Sequence, residues 1–348
     1  MTMSDAVATL RSVLDTVPRA RLIPGATPLE RGPVLPGGAR LWLKRDDLTG
    51  LGLGGNKARK LEFLCGAALA AGARSLVTVG AAQSNHCRMT AAAGAVLGLE
   101  THLVLSGGRP ERYEGNQLLS MLFGAQLHHT GAEESHWGEL EIAKDELTAQ
   151  LTADGAAPYA IPIGGSTPVG ALGYVDGFLE LLGDCVAVGI APAVVVHTTS
   201  SGGTHAGMVA GRALARAAGL AVPRVLAVGV AKGVLAGRPD VARLAGATLD
   251  LLGADAVAGA VVEDGDVELD TDHMGVDYAV PTDGGDAAID WAGRRGGWVL
   301  DRVYSGKGFS AVLSRAAAGE WGPGDDVVFV HTGGTPTVFA AGGDTVHR

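Results

Sequence analysis

Short apolar runs recur along this chain, each followed by a glycine- or serine-rich loop and then by a segment with helical spacing. Arg40–Lys44 leads into the turn-rich stretch Asp46–Asn56, which opens a helix over roughly Lys57–Ala71 with Leu61, Leu64, Cys65 and Ala68 at helical spacing and Gly72 at its end. Ser75–Val79 is followed by the loop Gly80–Asn85 and an alanine-rich helix through Leu97; Thr101–Leu105 is a further strand. The rhythm continues through Gly115–Leu122, Gln126–His129 and the helix Trp137–Ala149, and returns at Ala193–His197 and Val225–Val230. Such alternation has few solutions: the fold class is α/β, with parallel strands covered by helices on both faces. At 348 residues there is room for two lobes, each an open, mostly parallel twisted sheet. The Gly/Pro-rich stretch Gly164–Gly173 suggests a boundary, giving a small lobe inserted as residues 53–162 and a large lobe built from 1–52 and 163–348.

Composition excludes several classes of function. The chain is 47% hydrophobic and 18% charged with 54 glycines, which fits a packed enzyme with many tight turns and not a disordered chain. A formal charge of -10 without any long Lys/Arg run argues against a nucleic-acid partner. Cys65, Cys87 and Cys185 form no C-x-x-C pair and are too few for a disulfide framework, so a reducing cytoplasm is expected. Residues 1–18 lack the apolar core of a signal peptide, and no stretch has the uncharged length that spans a bilayer. A soluble protein without membrane contact follows, and no metal site is indicated.

In parallel sheets, ligands meet the loops at the carboxyl ends of strands. Five segments have that placement. In Gly54-Gly55-Asn56-Lys57 a lysine stands at a helix start, where the dipole and burial lower its basicity and make it a nucleophile toward an aldehyde; the alternative is a solvated surface lysine. Ser201, Gly202, Gly203 and Thr204 follow an apolar strand and offer consecutive N–H groups to a phosphate, or else make a serine-capped turn. Neither G-x-x-x-x-G-K-[ST] nor G-x-G-x-x-G is present there, so a whole nucleotide is not indicated. In Gln83-Ser84-Asn85-His86, Ser84 and Asn85 either cap a helix or donate to a substrate carboxylate and a ring hydroxyl. Thr332, in His331-Thr332-Gly333-Gly334, either meets a ring nitrogen or sits in a plain glycine turn. Tyr278 and Tyr304 are either packing residues or a general acid and base.

Together these segments resemble the D-cysteine desulfhydrase and 1-aminocyclopropane-1-carboxylate (ACC) deaminase family, pyridoxal 5'-phosphate (PLP) enzymes of the tryptophan-synthase-β fold, type II. The resemblance runs from about Thr27 to Phe339, and is most specific at Lys44–Glu62, Gln83–Arg88, Gly164–Gly173, Ser201–Gly207, Tyr304–Lys307 and His331–Gly334. It implies PLP in the cleft between the lobes, held by Lys57 as a Schiff base that also moves the Cα proton. Ser201, Gly202, Gly203 and Thr204 would then bind phosphate, Asn85 the ring hydroxyl, Thr332 the ring nitrogen, and Ser84, Asn85 and His86 the substrate carboxylate. Tyr278 and Tyr304 align with the family's two active-site tyrosines, and a homodimer is implied.

Within that resemblance, deaminases carry a glutamate directly after the second tyrosine, where this chain has Ser305. A neutral partner makes the ring a weaker electron sink, which suits loss of a good leaving group better than opening of a cyclopropane. The expected reaction is therefore β-elimination on a small amino acid, D-cysteine giving pyruvate, sulfide and ammonia. ACC deamination, another β-substituted substrate such as cysteate, racemisation, and a non-catalytic PLP-binding homologue are the alternatives. A phosphate-ester enzyme using the Ser201 loop would leave Lys57 without a role. Met89, Gly308 and Phe309 depart from the family pattern, which implies an altered substrate pocket.

Overall fold

The computed structural model describes residues 2–133, 136–231, 238–253 and 259–340. It contains two sheets. The larger joins β1 (Leu29–Val34), β2 (Arg40–Lys44), β10 (Asp326–Val330), β7 (Val194–Thr199), β8 (Arg224–Gly229) and β9 (Glu268–Asp270) in that spatial order; β1 is antiparallel to β2 and every other pair is parallel. The smaller is all parallel, in the order β5 (Gln126–His129), β4 (Glu100–Leu105), β3 (Ser75–Gly80), β6 (Pro158–Ile161). The expected α/β architecture of two mostly parallel sheets is what the chain forms.

Alternation along the strands assigns each face its helices. Val195 and Val225 point into a core built by α1 (Met3–Ser12), α6 (Pro168–Val188), α7 (Gly203–Ala217) and α8 (Arg238–Asp250), whereas Val194, Val196 and Phe329 face α9 (Asp283–Gly296) and α10 (Ser305–Ala317). On the smaller sheet, α2 (Lys57–Ala70) and α3 (Asn85–Leu97) cover Leu76, Leu103 and Leu105; α5 (Trp137–Ala153) covers Val79 and Val104. A short helix, α4 (Gly115–Leu122), runs between β4 and β5.

The strand ends differ little from the sequence expectation, β7 reaching two residues further to Thr199. More consequential is the stretch Gly164–Gly173, half of which is not a loop: Thr167 caps α6 through its hydroxyl, and the helix starts at Pro168. Its early glycines have a packing purpose. A Cβ on Gly173 would lie 2.2 Å from the Arg59 carbonyl oxygen, and one on Gly207 of α7 would lie 2.3 Å from that of Ala171. Glycine therefore lets α2, α6 and α7 pack backbone to backbone, which brings the start of α2 to the start of α7.

Candidate active site

Lys57 is the first residue of α2, and the turn before it is held from three sides. Gly54 has φ 74°, and a Cβ there would sit 1.8 Å from the Asp47 carbonyl oxygen, so only glycine fits. The Gly55 N–H donates to the Asp46 carbonyl at 3.0 Å and to Thr49 Oγ1 at 2.9 Å, and the Asn56 N–H donates to the Thr332 carbonyl at 3.0 Å. Asn56 Nδ2 then donates to Thr204 Oγ1 at 3.0 Å, linking the start of α2 to the start of α7. Burial, reinforced by the Arg88 charge, lowers the Lys57 amine to about 8, so the neutral, nucleophilic fraction near neutral pH is far larger than that of an ordinary lysine, although the protonated form still predominates.

Beyond β7 the chain turns through Ser200–Gly202 into α7, with Gly202 in the left-handed region at φ 82°. Ser166 organises this loop: its Oγ donates to Ser201 Oγ at 2.8 Å and accepts from the Gly203 N–H at 3.2 Å. Beneath lies Lys60, fully buried, donating to the Gly164 carbonyl at 2.6 Å and Ser166 Oγ at 3.3 Å. A Cβ on Gly203 would be 2.5 Å from Lys60 Nζ, so the amine sits directly against the loop. A helix N-terminus, hydroxyls and a buried lysine without a carboxylate partner among the described residues are a phosphate-binding donor set.

On the smaller lobe, Ser84 caps α3, its Oγ accepting from the Cys87 N–H at 3.1 Å. Asn85 Oδ1 accepts from Asn116 Nδ2 at 3.0 Å, which turns the Asn85 amide. His86 Nε2 lies 2.9 Å from the Thr78 hydroxyl, whose own proton goes to the Ile161 carbonyl, so Nε2 is the donor and Nδ1 is an acceptor with no partner. Burial, with Lys57 and Lys60 adding repulsion, holds His86 well below the ordinary histidine range and therefore neutral.

The two tyrosines meet. Their hydroxyls are hydrogen-bonded, their rings stand edge to face at 5.9 Å, and Trp137 packs edge-on against Tyr278 at 5.3 Å. Tyr304 is held by Asp301, whose Oδ1 accepts from the N–H groups of Val303 and Tyr304 and whose Oδ2 accepts from the N–H and hydroxyl of Ser305. The stretch before Tyr278 is fixed by buried Lys307, which donates to the carbonyls of Met274 at 2.7 Å and Asp277 at 3.3 Å.

One cavity of about 590 Å³ collects these groups. Lys57, Ser84, Asn85, His86, Ser201, Gly202, Thr204, Tyr278, Tyr304 and Thr332 all line it; Gly203 does not, its N–H being turned to Ser166. Ser305 is not on the wall either. It is fully buried and spends its hydroxyl on Asp301, so its place beside Tyr304 in sequence does not make it the ring's partner, whereas Thr332 faces the cavity. Met89, Gly308 and Phe309 also lie away from the wall: Met89 packs in the smaller lobe's core, Phe309 under Phe329, and Gly308 against Thr198. The expectation that they reshape the pocket directly is corrected accordingly.

Sequence reasoning missed Asn56, Lys60, Arg88, Asn116, Trp137 and the loop-organising role of Ser166. Only Lys60 had a local signal, standing three residues after Lys57 on the same helical face. Lys57 and His86 line the cavity, and Lys60 and Arg88, buried off its wall, act on them electrostatically; the acidic wall residue Asp240 is instead tied to Arg243 at 2.6 Å on an exposed part of α8. Such a donor set suits an anionic, phosphorylated aldehyde, and PLP fits it in charge and in chemistry.

Comparison with known proteins gives the same result. The family described as "Pyridoxal-phosphate dependent enzyme" matches residues 20–333. The chain is 37% identical over 338 residues to a D-cysteine desulfhydrase of Serratia proteamaculans (strain 568), covering 95% of this chain and 98% of that protein. It is 38% identical over 334 residues to a D-cysteine desulfhydrase of Klebsiella pneumoniae subsp. pneumoniae, covering 94% and 97%. Among solved structures, an ACC deaminase homologue superposes with a TM-score of 0.83 at 35% identity, over 96% of this chain and 97% of that one. A fungal L-serine ammonia-lyase from Rhizomucor miehei shares the fold at a TM-score of 0.60 and 18% identity, over 92% and 96%.

Proposed function

The chain belongs to the pyridoxal-phosphate dependent enzymes, as a lyase of the D-cysteine desulfhydrase and ACC deaminase group, and from that premise we propose that it converts D-cysteine and water to pyruvate, sulfide and ammonia. The observation that carries this reading is the meeting of Lys57, the Ser201–Thr204 loop, Thr332 and the hydrogen-bonded Tyr278–Tyr304 pair around one cavity. Bound PLP withdraws electrons from the substrate's Cα, so that its proton can leave. The protein supplies the rest. Ser201–Thr204 and Lys60 would hold the phosphate, Asn85 the ring hydroxyl, and Thr332 the ring nitrogen. Ser84 and Asn85 at the start of α3, with His86, would receive the substrate carboxylate. The Lys57 amine takes the Cα proton, and Tyr304, paired to Tyr278, gives a proton to the departing sulfur.

Purified protein is expected to release sulfide and pyruvate in equal amounts from D-cysteine and to leave ACC untouched, with Tyr304→Phe reducing kcat by roughly 10²–10³. Turnover of ACC or cysteate in preference to D-cysteine would reassign the substrate. A bound chromophore with no turnover of any of these would point to a non-catalytic homologue.

The lobe division belongs to the same reading: all four strands of the smaller sheet fall within 53–162, and all six of the larger fall outside it. A homodimer is supported by exposed apolar side chains on α4 and on the turn Thr335–Phe339 that packs against it, Leu122 being 70% and Phe339 73% exposed. Leu122→Asp is expected to shift sedimentation from dimer to monomer; a monomeric wild type would refute the assembly. No helix among the described residues is long and apolar enough to cross a membrane. All three cysteines are buried and unpaired, which supports a cytoplasmic enzyme.

A further inference from the structure

Arg88 is fully buried in α3, one turn after Ser84 and Asn85, and does not itself line the cavity. Its Nη2 donates to the Gly54 carbonyl at 2.9 Å, in the turn that opens into Lys57, while Nε and Nη1 have no partner. A Cβ on Gly55 would lie 3.5 Å from Nη2, so the guanidinium lies against the turn itself. Among the described residues no carboxylate forms an ion pair with it. A buried cation of this kind is costly, and a protein that only needed to hold a turn could do so with a neutral donor.

We infer that Arg88 is the positioning and charge-setting residue for Lys57: its uncompensated guanidinium fixes the turn that presents the lysine and disfavours a second positive charge on the neighbouring amine. The inference rests on the reading of Lys57 as the cofactor lysine, for which a neutral amine is the reactive form. Which of two like charges yields is settled by intrinsic basicity. Burial brings Arg88 down to about 10, still protonated at neutral pH, whereas Lys57 falls to about 8. The other basic groups bearing on this lysine are Lys60, three residues along α2, and His86 on α3; burial puts both well below their ordinary values, so Arg88 is the fixed charge of the set.

The test follows the Lys57 amine in the full-length protein stripped of cofactor, by the pH dependence of its reductive methylation with formaldehyde, read at that peptide by mass spectrometry. Arg88→Lys keeps a charge, Arg88→Gln keeps a neutral donor for Gly54, and Arg88→Met removes both. We expect the Lys57 midpoint to rise by on the order of one unit in R88Q and R88M and to stay near the wild-type value in R88K. Unchanged midpoints in R88Q and R88M, or an equal rise in R88K, would overturn the charge-setting role. Failure of both charge-removing variants to fold would make Arg88 structural and end the proposal. Because no cofactor is present, none of these results depends on whether Lys57 carries one.

Discussion

Replacing Lys57 with alanine is expected to lower sulfide release from D-cysteine by about 10⁴-fold or more, because in the proposed mechanism one amine both holds the cofactor and moves the Cα proton. The proposed phosphate cradle is separate from that amine: Ser166, Gly203 and Lys60 form their contacts without Lys57. K57A should therefore still bind the cofactor, but reversibly, so that its colour is lost on dialysis and borohydride fixes nothing to the chain. Among the described residues Lys60 is the only other lysine in the basic cluster at the cavity and the natural rival for the attachment. Its Nζ, however, is committed to the Gly164 carbonyl at 2.6 Å and to Ser166 Oγ at 3.3 Å, and the residue does not line the cavity. K60M should keep the borohydride-reducible chromophore and weaken the hold on the cofactor. A chromophore that survives dialysis and reduction in K57A but disappears in K60M would transfer the attachment to Lys60 and sink the assignment.

What could be read from sequence here was whatever is local. Lys57 stood out because glycines, a turn and a helix start are consecutive, and the Ser201–Thr204 loop because it follows an apolar strand directly. The parallel sheets were legible from strand, loop and helix recurring in order. Contacts across the chain were not: Lys60 meets Ser166 106 residues later, and Asn116 turns Asn85 from 31 residues away. Tyr278 lies in an irregular segment with no period to read, so its residue type made it a candidate and only the resemblance favoured a role in the site. Ser305 shows the opposite error, adjacency taken for proximity. Tyr304 is the residue before α10, and the turn that aims its ring at the cavity sends the next side chain back to Asp301. Met89 and Phe309 were likewise judged by motif position, when hydrophobicity decides that such side chains pack in cores.

The largest expected stability effect lies beneath the site. Arg59, two residues after Lys57, is fully enclosed between Asp46 and Glu180: Nε and Nη2 donate to Asp46 at 2.9 and 2.8 Å, and Nη2 donates to Glu180 at 2.7 Å. Lys44 donates to the same Glu180 oxygen at 2.6 Å, and the Tyr174 hydroxyl donates to Asp46 at 2.6 Å. This network joins β2, the glycine turn, α2 and α6, so it sets where Lys57 stands. Glu180→Gln strips the charge that faces two buried cations and is expected to cost about 3–5 kcal/mol in urea unfolding at pH 7. The pH dependence follows from the same contacts. Burial acts to raise the Glu180 pKa, but Arg59 and then Lys44 overcome it and hold the carboxyl at about 2, against an ordinary value of 4.5. Since the folded value is the lower one, the unfolded chain takes up the proton first as pH falls. The contribution of Glu180 is thus complete above about 4.5 and is lost on the way down through 2, a span worth on the order of 3 kcal/mol. Wild-type stability should fall across that window more steeply than that of E180Q, and the two should converge toward pH 2. A variant within 1 kcal/mol of wild type at pH 7, or parallel acid profiles, would mean that the pair is compensated elsewhere and that α2 is positioned by its glycine contacts with α6 alone.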